Sequence, residues 1–173
     1  MKRFFSCCLL VLMLATPACS YPENTIPTTV PSPSSKTFTV TEFSIELTRD
    51  FYQKESSSLL VCRSEDFTVT VHCSPFADYE GSGLSADATA AQWARQFASP
   101  AFGGTEPEEK DGLVFLTKSV EENGVKYLHR QFCFRGGEGF YSVTFAAKES
   151  TFTAREDAVS EFAKSVRFRS ENA

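Results

Sequence analysis

The stretch YLHRQFCFRGGEGFYSVTFAA, residues 127–147, places Leu128, Phe132 and Phe134 on one side of a period-two alternation and Cys133 on the other. Alternation of this kind marks a strand with one buried face. Four residues, Gly136-Gly137-Glu138-Gly139, interrupt it, and a second apolar run follows at 140–147. Glycines supply the positive-φ residues that tight reversals ask for, so the stretch predicts two antiparallel strands, 125–134 and 140–147, joined by a hairpin.

Working outward, a strand at 113–120 precedes the pair across the turn Glu122-Asn123-Gly124, giving a three-stranded meander. Beyond it, Thr153-Ala154-Arg155-Glu156 has the pattern of a capping box, with a stripe of Val159, Phe162, Ala163 and Val166 behind it, and predicts a C-terminal helix starting at Thr153. On that reading Thr153→Ala removes an N-cap and costs about 1 kcal/mol. Upstream, 43–47 (FSIEL) alternates as a strand, and 59–63 and 67–73 form a hairpin about Ser64-Glu65-Asp66. Residues 85–98 switch to helical spacing, with Ser85 or Asp87 as cap and Ala90, Trp93 and Phe97 on one stripe, until Pro100, Gly103, Gly104 and Pro107 end the helix. The 17 phenylalanines fall mainly on these periodic positions, where a sheet meets helices. The expectation is one α+β domain at 38–169, an antiparallel sheet of about six strands packed with helices as an α/β/α sandwich.

The order strand, hairpin, helix, three-stranded meander, C-terminal helix resembles the PsbP/DcrB-like superfamily, which also takes in the Ran-binding Mog proteins. FSIEL at 43–47, the stretch at 127–147 and VSEFAKSVRF at 159–168 carry the resemblance, which covers nearly the whole domain. It implies a non-enzymatic binding or accessory module, often a lipoprotein in bacteria, and transfers no active site.

The N-terminus reads as an export signal. Lys2 and Arg3 precede an apolar core from Phe4 to Ala15. A helix of that length spans about 18 Å against the ~30 Å hydrocarbon core of a bilayer, so it does not serve as a lasting anchor. Signal cleavage is expected after residue 18. Leu14-Ala15-Thr16-Pro17-Ala18-Cys19 resembles a lipobox, which implies lipidation of Cys19; the small Ala18 equally suits an ordinary signal peptidase and plain secretion. Residues 19–37 then read as the lipidated cysteine and a disordered tether, with Pro22, Pro27, Pro31 and Pro33 among Ser and Thr. Residues 20–37 reach about 55 Å extended or about 24 Å as a coil. The chain is therefore expected to be exported and held on the extracytoplasmic side of a cell membrane through acylated Cys19.

The net charge of −5 argues against nucleic acid as a partner, because phosphate backbones select a basic face. An envelope protein or small ligand is expected instead. No catalytic motif, cofactor signature or metal-ligand spacing stands out. His129 and Cys133 share a strand face but lie about 13 Å apart, and His72 and Cys73 point to opposite faces. Gly137-Glu138-Gly139 closes a hairpin with no helix behind it, and reads as a turn. The run Glu106-Pro107-Glu108-Glu109-Lys110-Asp111 lacks the alternation of a calcium loop and reads as solvated charge. Cys62, Cys73 and Cys133 are expected to stay unbridged, with Cys62 opposite about Thr68 and Cys133 opposite about Ser142; the alternative is one long-range bridge, Cys73 to Cys133, if the two hairpins lie side by side with matching faces. The alternative to a binding module is an envelope enzyme whose site is assembled from scattered polar residues. Its signature would be a pocket on which His129, Arg130 or Arg135 converge.

Overall fold

The computed structural model describes residues 34–85 and 87–169; the segment expected as signal peptide, Cys19 and the segment expected as tether as far as residue 33 lie outside the described residues. Three strands expected from the sequence are present and slightly longer than expected: β7 (Leu113–Glu122), β8 (Val125–Arg135) and β9 (Gly139–Lys148). Upstream, β4 (Leu60–Arg63) and β5 (Thr68–Pro75) make the expected hairpin. The short strands β3 (Tyr52–Lys54) and β6 (Glu108–Lys110) complete an antiparallel sheet of order β3-β4-β5-β9-β8-β7-β6. A second sheet pairs β1 (Ser35–Val40) and β10 (Arg167–Phe168) with β2 (Phe43–Thr48), in the order β1-β2-β10. The architecture is α+β.

Alternation along the large sheet separates two cores. Val69, Val71, Tyr141, Val143, Phe145 and Phe132 face the main core, where the small sheet and the C-terminal helices α3 (Glu149–Ala154) and α4 (Glu156–Lys164) cover them. Ser165, just after α4, ties this layer together: the Glu46 N–H donates to its Oγ at 2.9 Å and its hydroxyl donates to the Phe162 carbonyl at 2.6 Å. Leu116, Cys133 and Phe140 point the other way. There they meet Trp93, Ala94, Ala98 and Phe102 from α1 (Ala90–Trp93), the π-helical turn Ala94–Ala98 and α2 (Ser99–Ala101). Trp93 lies parallel to Phe140, the ring centroids 5.2 Å apart, and forms the centre of this smaller aromatic core.

The structure departs from the sequence expectations at four places. The segment expected as tether up to residue 37 enters β1 at Ser35, because Phe38 is buried against the main core and draws its neighbours into pairing with β2. The cap of the middle helix is neither Ser85 nor Asp87 but Thr89, which forms a reciprocal capping box with Gln92. The charges of the acidic run are solvated as expected, but the run is not loop throughout, since Glu108–Lys110 form an exposed edge strand. That strand pairs with β7 across Asp111 and Gly112, both at positive φ, which is the two-residue hairpin turn that matches strand twist.

The last departure is the C-terminal capping box. Helix α3 already runs from Glu149 to Ala154, so Thr153 sits inside it and its hydroxyl donates back to the Glu149 carbonyl at 2.9 Å. The chain breaks at Arg155 (φ −126°, ψ 23°), and α4 begins without a side-chain cap. Buried Phe152, edge-on to Phe67, anchors the earlier turn. The Glu156 carboxylate turns to Arg130 instead of reaching back to a cap. Thr153→Ala is therefore expected to change stability by less than about 0.5 kcal/mol, since a hydroxyl bonded to its own helix adds little. Denaturant midpoints check this, and a loss near 1 kcal/mol would restore Thr153 as the cap.

Candidate functional site

The β4–β5 hairpin turns at Ser64, where the Ser64 N–H donates to the Phe67 carbonyl at 2.9 Å and the Phe67 N–H donates back to the Ser64 hydroxyl at 3.1 Å. Asp66, at its tip, forms an ion pair with Arg155 at the α3–α4 break, 3.0 Å away. Between the turn, the start of β8 and the end of β9 lies a cleft of about 440 Å³, within the size range of small-molecule sites. Its walls carry the hydroxyls of Thr68, Tyr127 and Thr151, the Lys148 ammonium and the Glu65 carboxylate. Among the described residues none of these five groups is engaged in a hydrogen bond or ion pair with another part of the chain. Charges of both signs and several hydroxyls thus line one concavity.

Register explains the grouping. Tyr127 pairs with Lys148, and Thr68 pairs with Ala146, so strand alternation brings them to the same face of the sheet. Tyr127 and Lys148 stand opposite each other on neighbouring strands, which sets the aromatic ring beside the ammonium. No local motif marks the site, because its contributors come from the β4–β5 turn, the start of β8, the end of β9 and helix α3.

The basic residues singled out from the sequence do not converge. Arg130 faces the main core: its guanidinium lies over Phe115 and Phe152, its Nε donates to the Thr117 hydroxyl at 3.1 Å, and it pairs with Glu156 at 2.8 Å. That bond holds the Glu156 carboxyl below its ordinary pKa. His129 is on the opposite face, where burial first and Lys118 second lower its pKa. Arg135, six residues along β8 and so about 20 Å from His129, lies over the Phe76 ring. His72 is exposed, with Nε2 3.4 Å from the Ser58 hydroxyl. Among the described residues no three His, Cys, Asp or Glu side chains gather as a metal-binding group.

The Gly136–Gly139 turn does something the sequence reading missed. Its glycines are not at positive φ. Gly136 and Gly137 are small because the turn closes over the Glu42 carboxylate, which accepts from the N–H groups of Gly137 and Glu138, each at 3.1 Å, and from the Tyr141 hydroxyl at 2.8 Å. The turn holds an anion after all, and the anion belongs to the chain's own β1–β2 turn. Burial, and then hydrogen bonds with Cys73 and Glu42, raise the Tyr141 pKa above its ordinary value.

The three cysteines occupy separate places. Cys62 is opposite Val69, one residue from the expected Thr68, and Cys133 is opposite Ser142 as expected. Cys73 is opposite Tyr141, which lies on the face away from Ser142, so Cys73 and Cys133 point to opposite sides of the sheet. Burial pushes the Cys62 thiol up to about 11 and that of Cys133 up to about 12. Burial also raises that of half-exposed Cys73. Alkylation of the native protein followed by peptide mapping should therefore modify Cys73 first, and all three should react after denaturation without reductant. A domain cysteine that stays blocked once denatured would establish a bridge.

An α+β sandwich with an open polar cleft is the class that fold and site define. The element order on which the PsbP/DcrB-like resemblance rests is the order observed, with β2, the β4–β5 hairpin, the α1 segment, the β7–β9 meander and α4 in sequence. Among solved structures, the chain is similar to a Bacteroides thetaiotaomicron protein at a TM-score of 0.55 and 12% identity over 81% of this chain. The match covers 50% of that longer protein and concerns the fold. It is also similar to cyanobacterial PsbP from Synechocystis, at a TM-score of 0.49 and 14% identity over 81% of this chain and 95% of the other. No family model matches the sequence, and no curated protein matches it.

Proposed function

We propose that the protein is a membrane-anchored extracytoplasmic lipoprotein whose single domain is a binding or accessory module. One sequence observation carries the anchoring: an apolar segment too short to span a bilayer, Phe4 to Ala15, is followed at once by a lipobox-like stretch with Cys19, and a proline-studded stretch separates that cysteine from the first strand. Two acyl chains on one residue anchor stably, each buried methylene contributing ~0.8 kcal/mol. Among the described residues no helix is long and apolar enough to cross a membrane. The binding reading is supported by the cleft beside the β4–β5 turn, with its unengaged hydroxyls. The scatter of His129, Arg130 and Arg135 over two faces of the sheet, where an enzyme would gather them, supports it too.

Replacing Cys19 with Ala tests the anchor, because its thiol is the atom that would take the lipid. The variant is expected to leave the membrane fraction while wild type remains there. Equal retention of both would overturn the lipoprotein reading in favour of an uncleaved signal anchor.

A further inference from the structure

The helical layer covers only part of the outer face of the large sheet, where Trp93, Ala98 and Phe102 sit over Leu116, Cys133 and Phe140. The rest of that face carries cations. Register strings Tyr52, Arg63, Thr68, Ala146, His129 and Lys118 into one row across β3, β4, β5, β9, β8 and β7. Lys54 stands two residues from Tyr52 on β3, and Lys148 stands two residues beyond Ala146 on β9, so strand alternation puts both on the same side. Arg63 and Lys118 are four strand spacings, about 19 Å, apart. Among the described residues Lys54, Arg63 and Lys148 form no ion pair, and the Lys118 ammonium lies over the Phe102 ring.

Carboxylates do not cancel this row. Glu122 shares the face opposite Val125, Glu65 lies at the β4–β5 turn, and Asp66 is already paired with Arg155. The strip is therefore positive although the chain as a whole carries −5. Glu149, Glu156, Asp157 and Glu161 are on α3 and α4, which cover the other side of the sheet. A molecule polarised in this way turns its basic side towards an anionic surface. The two exposed large hydrophobic side chains among the described residues, Tyr52 and Val125, stand on the basic side too. Spread cations with a tyrosine among them suit lipid headgroups, where lysine and arginine meet phosphates and the phenol ring sits at headgroup level. The span is too great for one small anion to reach all the cations.

The point where the chain enters the domain favours the same surface. The Ser34 carbonyl accepts from the Arg49 N–H at 3.0 Å, and Ser35 pairs with Thr48. The Phe51 N–H donates to the Thr48 carbonyl at 3.1 Å, a tight turn, and Tyr52 follows. Ser34 is thus within about 15 Å of Tyr52 at the rim of the basic strip. A tether of about 24 Å as a coil is long enough to let that strip settle on the bilayer holding Cys19. The anchor keeps the local concentration high, so a weak surface contact suffices.

We infer that the domain lies on the anionic membrane that holds its anchor, with the outer face of β3, β4, β5 and β9 and the start of β8 against phosphate-bearing lipid headgroups. The inference rests on the lipoprotein reading and adds to it an orientation of the domain. An acidic protein is the competing occupant of a positive face.

Lysine acetylation of the protein purified from membranes, reconstituted in vesicles of phosphatidylcholine alone or in equal parts with phosphatidylglycerol, tests this. Lys54 and Lys148 are expected to react severalfold more slowly on the anionic vesicles, while Lys110 and Lys164, on the other side of the sheet, keep their rates. About 1 M salt should erase the difference, because the screening length falls to about 3 Å. Arg63→Glu combined with Lys148→Glu should remove the protection of Lys54, and Lys54→Glu that of Lys148. All three side chains are exposed, and an unchanged denaturation midpoint shows each variant folded. Flotation with both vesicle types but equal rates at Lys54 and Lys148 would overturn the lipid contact, keep the anchor and leave the face to an acidic protein. Variants protected as wild type is would overturn this face as the contact. Flotation with the anionic vesicles alone would remove the anchor but support the face, and flotation with neither would remove both.

Discussion

Gly139→Ala is expected to destabilise the protein by about 3 kcal/mol or more, enough to leave much of the chain unfolded. Gly139 opens β9 directly opposite Pro75, and it is buried. A methyl group added there would lie 2.4 Å from the Ser74 carbonyl oxygen and 3.0 Å from the Pro75 Cα. Both are backbone atoms of the neighbouring central strand, so no rotamer change relieves the clash. Only separation of β5 from β9 would, and that would pull on the Gly136 N–H to Gly139 carbonyl bond and on the Phe76 N–H to Glu138 carbonyl bond. It would also displace Phe140, which stacks on Trp93 and meets Phe76 edge-on. Gly137→Ala is the contrasting control, because its added methyl would meet only the Glu42 carboxylate end, which can give. Urea unfolding of both variants decides the matter. Equal midpoints for Gly139→Ala and wild type would mean that the central pair of strands is not closed as described.

The meander was legible because each of its strands carries a long apolar alternation and each turn a glycine, and these are local signals. What the sequence hid was hidden for physical reasons. Strands β1 and β6 have few apolar residues, and they exist because a neighbour supplies hydrogen bonds: buried Phe38 and partly buried Val40 commit β1 to the core, and Asp111-Gly112 commits β6 to its hairpin. The false capping box at Thr153 satisfied the motif, but buried Phe152 one residue earlier had already drawn the chain into helix. The cleft is not legible in the sequence because its walls come from the β4–β5 turn, the start of β8, the end of β9 and helix α3, which no local pattern relates. The Gly136–Gly139 turn was recognised as a turn, while the carboxylate it encloses lies 95 residues before Gly137.

That carboxylate gives the second large effect. Glu42→Ala is expected to cost roughly 3 kcal/mol, because hydrogen bonds to a charged group are worth about 1.5–3 kcal/mol each and three converge here, two of them exposed to solvent. The loss has an asymmetric part. Tyr141 is almost wholly buried, stacked 5.8 Å from Phe43 and tilted against Phe168. Removing its acceptor therefore leaves a phenolic hydroxyl in the core with only the weakly bonding Cys73 thiol beside it, whereas removing the hydroxyl itself leaves Glu42 with the two turn N–H groups. Tyr141→Phe should accordingly be the milder change, by about 1–2 kcal/mol. In the double variant the hydroxyl is no longer there to be stranded, so the combined loss should fall short of the sum by about 1 kcal/mol. Glu42→Gln should lie between wild type and Glu42→Ala, since an amide keeps one acceptor oxygen but turns a donor towards an N–H. Denaturant unfolding of the four proteins of the cycle measures the coupling. Strict additivity would show that Glu42 and Tyr141 act independently. It would also leave the close fit of Gly136, whose added methyl would meet the Glu42 Oε1 and the Tyr141 ring, each at 2.6 Å, as a matter of packing alone.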